Sequence, residues 1–283
     1  MAKEPKNATP VTERGPRRII MPLQSTGRVG KSTTIELVLS WLLASQNKSN
    51  GLTPSALDAD GEHQTLSRRF PWATLYRKAA SERDAFREMI ANIGDHDSTV
   101  IDFPAQATEF LLSSFAEFGV VELFKEKGLR LTILLFPADD PTALSSLGTV
   151  VKALKTDVDY IIVKNPARYK TDQWDDLPLR DVLTAKGACE ITLPALTAPT
   201  IDEVKRVSQE SASHLTYVDA IAKVDGASAH ELLHFKSSVF SQLDKAAHLL
   251  VPSPDAITLT DAPASTVLPE VDQFDPLGGI DLD

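Results

Sequence analysis

A three-layer α/β sandwich on a mostly parallel sheet is the fold class the sequence predicts, and three observations predict it. Short apolar runs alternate with longer amphipathic segments, the order expected when each strand is followed by a crossover helix. The strand runs, such as "LTILLF" at 131–136, are almost continuously apolar, which implies burial on both faces. At 283 residues, 42% hydrophobic and 24% charged, the chain is an ordinary globular one, long enough for a substantial core.

In chain order, the runs 18–24, 54–58, 98–102, 129–136, 159–164 and 188–193 read as strands. Helical spacing marks 31–46, 80–93, 106–127, 141–155 and 200–213. A last helix is expected over 226–250, where Leu232, Leu233, Phe235, Val239, Phe240 and Leu243 recur on one face. The expected organisation is a basic flexible leader at 1–17, one domain at 18–250 and an acidic disordered tail at 251–283. The tail has seven acidic residues, five prolines and no Lys or Arg, so it has little apolar surface to offset the entropy of ordering. Its apolar residues Phe274, Leu277, Ile280 and Leu282 lie between acids, which suits docking on a basic protein partner; a plain solubilising tail is the alternative.

Composition also excludes. No apolar run approaches the ~20 residues of a membrane span, and the charged N-terminal stretch lacks a signal-peptide core; the expected location is cytoplasmic. The single cysteine, Cys189, rules out an internal disulfide framework and cysteine-based zinc, and reads as a small buried residue. A net charge of −10 argues weakly against a surface built for DNA. Lys3, Lys6, Arg14, Arg17 and Arg18 in the leader, with Lys205, Arg206, Lys223, Lys236 and Lys245, still allow non-specific DNA contact; a solvated helix face is the plainer reading.

In an open parallel sheet, ligands bind beyond the carboxyl ends of the strands, so the residues just after each strand are the ones to inspect. After the first strand comes "STGRVGKST", Ser25 to Thr33. Its backbone N–H groups, from Gly27, Arg28, Val29 and Gly30 through Lys31, Ser32 and Thr33, can surround phosphate oxygens at a helix N-terminus. Lys31 can supply a point charge and the Ser32 hydroxyl a ligand to Mg²⁺. A glycine-bearing turn before a helix cap is the alternative. After the second strand stands "DADG", in which Asp58 could organise a metal shell and Asp60 face an attacking water; an acidic turn is the alternative. After the third strand comes "DFP", with Asp102 as a candidate metal-side carboxylate and Pro104 shaping the next loop. After the fifth, Asn165 is placed to bond a base edge, or to make an Asn-Pro turn.

Together, "TGRVGKS" (26–32), "DAD" (58–60) and "DFP" (102–104) at three successive strand ends resemble the deviant Walker A ATPases, the ParA/MinD family of P-loop NTPases. The resemblance covers about 15–215. It implies ATP and Mg²⁺ as cofactors, with Lys31 and Ser32 on phosphate and metal, Asp60 positioning water, Asp102 on the metal side and Asn165 at the base. It also implies a nucleotide-dependent homodimer, a protein adaptor or cargo, and a role in plasmid or DNA segregation or in conjugative transfer, as in small partition ATPases or TraL/StbB-like proteins. Two departures stand out. Thr26 occupies the position of the family's signature lysine and Arg28 that of its second glycine, so slow hydrolysis is expected. The membrane branch is disfavoured because the acidic end contains no basic amphipathic helix. A catalytically weak scaffold and a dethiobiotin synthetase-like ligase are the alternatives, the latter weakened because Lys31 is the loop's only lysine.

Overall fold

A computed structural model describes residues 15–46, 52–76, 82–91, 93–155 and 157–253. Most of the expected leader and tail, including the proposed anchors Phe274 to Leu282, lies outside the described residues. The strands are β1 (Arg17–Pro22), β2 (Pro54–Asp58), β3 (Thr74–Leu75), β4 (Ser98–Asp102), β5 (Leu129–Leu135), β6 (Asp159–Lys164) and β7 (Cys189–Thr192). They form one sheet, ordered β3-β2-β4-β1-β5-β6-β7, and every pairing is parallel.

The helices are α1 (Lys31–Gln46), α2 (Thr65–Arg69), α3 (Glu82–Ala91), α4 (Thr108–Phe118), α5 (Val120–Glu126) and α6 (Pro141–Leu154). The later ones are α7 (Asp172–Asp176), α8 (Pro178–Ala185), α9 (Ala198–Glu210), α10 (Tyr217–Ala220) and α11 (Gly226–Lys245). Alternate residues of each strand face opposite layers. Ile19, Met21, Ile101, Ile133 and Ile162 join a core with residues of α3 to α8. Ile20, Val100, Leu134, Ile161 and Val163 join a second core with α1 and α11. This is the expected three-layer sandwich.

The differences have identifiable causes. The single helix expected over 106–127 is two, because Gly119 adopts φ 55° and ends α4 in the left-handed conformation. The last helix stops at Lys245, followed by a short 3₁₀ turn at Ala247–Leu249. α1 is not amphipathic in place: every residue from Thr34 to Leu42 is buried, since α11 packs across it as well as the sheet. Cys189 is only partly buried. Arg18, offered by the sequence as a basic leader residue, is fully buried in β1, paired with Asp159 and donating to the His248 carbonyl, so it is no DNA contact.

β1 lies between β4 and β5. The chain fills the sheet on one side of β1 with β2, β3 and β4, then resumes on the other side with β5. The winding direction therefore reverses beside β1, and the crevice at its carboxyl end is where a ligand is expected.

Candidate functional site

The segment after β1 is set by two left-handed residues, Arg28 (φ 61°) and Gly30 (φ 109°). Val29 between them is buried in the second core and anchors the loop, while Gly27 and Arg28 are exposed. Only glycine fits at 30: a Cβ there would lie 2.6 Å from Asn165 Nδ2. Asn165, just after β6, uses that nitrogen to donate to the Val29 carbonyl at 3.0 Å. Its observed task is thus to hold the loop. Tyr169, which the sequence reading did not single out, approaches the Gly27 carbonyl through its hydroxyl at 3.4 Å. Helical bonding of α1 begins where Thr34 N–H reaches the Gly30 carbonyl at 2.9 Å. The N–H groups of Lys31, Ser32 and Thr33 are therefore the orphan donors of a helix N-terminus.

Lys31 folds back over the loop, donating to the carbonyls of Gln24, at 3.2 Å, and Thr26. Burial lowers its ammonium to a pKa of about 8, opposed by Asp102. Asp102, at the end of β4, is raised to about 7 by burial first and by Asp58 next, against a hydrogen bond from Ser32. Lys31 and Ser32 therefore both act on the Asp102 carboxylate, which the sequence order put at a neighbouring strand end.

Asp58 is in register with Asp102 on the adjacent strand, but its oxygens are committed to the backbone. Oδ1 accepts from Asp60 N–H at 3.1 Å and Oδ2 from Ser67 N–H at 2.7 Å, which fixes the β2–α2 connection. Asp60 is buried; its Oδ1 accepts the N–H groups of Glu62 and His63, at 3.1 and 3.0 Å. Among the described residues, no group of three His, Cys, Asp or Glu side chains is arranged to hold a metal ion. Any metal here would share the Ser32 hydroxyl with phosphate oxygens and water.

Two further features suit a triphosphate. Gln24 Nε2 and Thr26 Oγ1 are buried without partners at the loop's base, polar atoms that are costly to leave unmatched. The orphan N–H groups and Lys31 gather positive potential at one point. The residues present fit a phosphate group.

Behind the loop lies a buried pair that sequence alone gave no signal for. Glu36 of α1 is paired with Arg69 of α2 and accepts the N–H of Tyr217, whose ring lies 5.9 Å from the Arg69 guanidinium. It ties the segment carrying Asp60 to α1 and α10.

No family model matches the chain, and no curated protein matches it. Among solved structures, it is similar to a MinC:MinD cell division protein complex from Aquifex aeolicus, with 14% identity and a TM-score of 0.41. That likeness covers 84% of this chain and 98% of the other. It is also similar to a plasmid partition protein from Borrelia burgdorferi, with 14% identity, a TM-score of 0.37, and coverage of 63% and 90%. Among the described residues, no helix is long and apolar enough to cross a membrane.

Proposed function

We propose that the chain is a nucleotide-dependent switch ATPase of the ParA/MinD kind, acting in plasmid or DNA segregation or in conjugative transfer. The observation that supports this most is the meeting of Lys31, Ser32 and Asp102 beneath a left-handed loop, where the winding of a parallel sheet reverses. ATP with Mg²⁺ would supply a phosphoanhydride and a divalent charge. Lys31 and the N–H groups of residues 27–33 would bind the phosphates, Ser32 the metal, and Asp102 the metal's water shell. Asp60, held by its own turn, would orient water. Asp58 serves in this reading as the anchor of Asp60's loop, and Asn165 as the clamp on the phosphate loop.

Arg28 in a left-handed conformation and Thr26 at the signature-lysine position support slow turnover, and hence a partner-stimulated switch or a scaffold that binds without turning over. The homodimer, a protein adaptor or cargo and non-specific DNA are the partners this reading implies. Size exclusion with light scattering in ADP, ATP and a non-hydrolysable analogue, all with Mg²⁺, tests the switch. The mass should rise to that of a dimer in ATP and the analogue only; one mass in all three removes the switch reading. Asp60→Ala should lower steady-state hydrolysis by at least about tenfold while ATP still binds, because a water-positioning group acts in the transition state.

A further inference from the structure

A cavity of about 590 Å³ lies between the β2–α2 connection, α3 and the segment that follows β4. Its floor is aromatic and deep. Phe86 and Met89 of α3 are buried, as is Phe103, and Phe110 of α4 completes the wall with its ring 6.0 Å from that of Phe86. Among the described residues, the charged groups lining it are carboxylates, Asp60 and Glu62, with no Lys or Arg. Asp60 keeps Oδ2 outside the turn that occupies Oδ1.

A concave apolar space of this size, with a few polar groups at one side, is the usual form of a small-molecule site. The sign of its charge selects the ligand. An anion or a phosphate meets two like charges here, whereas an ammonium meets two carboxylates beside an aromatic wall. We infer that this cavity is a second binding site, for a small apolar molecule that carries a protonated amine. The apolar body rests on Phe86, Phe103 and Phe110, and the ammonium lies toward Asp60 and Glu62. The site shares Asp60 with the proposed machinery, but no residue of 25–34 is among its described lining, so its occupancy is measured without nucleotide and its failure is separable from that of the nucleotide reading.

Calorimetric titration of the full-length protein with phenylbutylamine, phenylbutyrate and phenylbutanol tests this. These share one apolar body and differ in charge. The amine should bind with a Kd on the order of a millimolar or tighter, at least about fivefold tighter than the acid or the alcohol. Glu62→Gln, at an exposed position, should narrow that preference. Gln106→Trp, which fills the rim from another exposed position, should abolish amine binding while the melting temperature is kept. Equal binding of the three probes, no heat from the amine, or unchanged amine binding by Gln106→Trp would overturn the inference.

Discussion

Asp102 and Lys31 carry charge in a place where charge is expensive. The Asp102 carboxyl is raised from 3.8 to about 7, by burial above all. Between those values the folded chain holds a proton at Asp102 that the unfolded chain has released, so the contribution of this group to stability falls as pH rises from about 4 to about 7. Asp102→Asn should flatten this part of the stability curve in urea titrations of the apo protein, and should be more stable than wild type at pH 8. A curve of unchanged slope in the variant would show that Asp102 titrates normally. Gly30 carries a different constraint: Gly30→Ala meets Asn165 at 2.6 Å and sits at φ 109°. A backbone strain of this kind costs about 1–3 kcal/mol, so the variant should melt lower and bind nucleotide more weakly. Lys31, Ser32 and Asp102 were legible in the sequence because the first two open the helix after β1, Asp102 ends β4, and parallel pairing of β1 with β4 carries all three to one edge. The Glu36–Arg69 pair was not, because a charged residue on a helix reads as a solvated face until a second layer is known to cover it.

Three of the strands, at 54–58, 98–102 and 159–164, are where the apolar runs place them to the residue, since each short buried run stops at a charged residue, Asp58, Asp102 or Lys164. β3, α2, α7, α8 and α10 were not read, because two to eight residues contain too little periodicity to stand out. Gly119 shows the opposite failure: an apolar period ran straight through a break that only the backbone angle reveals. A Cβ at 119 meets nothing closer than 3.6 Å, so the cost of a side chain there is conformational alone. Gly119→Ala should destabilise by about 1–2 kcal/mol, the cost of the left-handed conformation for an L residue. Denaturant unfolding will measure it, and a neutral result would mean that α4 and α5 fuse at no cost.

At the scale of the molecule, the end of the sheet opposite the loop after β1 is closed by charge. Asp159 of β6 pairs with Arg130 of β5 and buried Arg18 of β1. Burial pushes its carboxyl up, but the two guanidinium groups overrule this and hold it below the usual range. Arg18 also grips the His248 carbonyl, while Ser98 and Thr132 donate to the carbonyls of Leu250 and Leu249, at 2.7 and 2.6 Å. Asp159→Ala would leave Arg18 buried and uncompensated, which typically costs about 3–5 kcal/mol. Its unfolding midpoint in urea should drop sharply, and a small change would show that water reaches Arg18. This closure leaves the opposite, carboxyl end of the sheet as the place for chemistry. The most direct measurement of the central claim is therefore titration of a fluorescent ATP analogue with Mg²⁺ into wild type and Lys31→Ala. Loss of the lysine should weaken binding by at least about tenfold while the apo melting temperature is kept or raised, because Lys31 is buried at a cost in the apo site. Equal affinity in the two proteins would contradict a phosphate site at this loop.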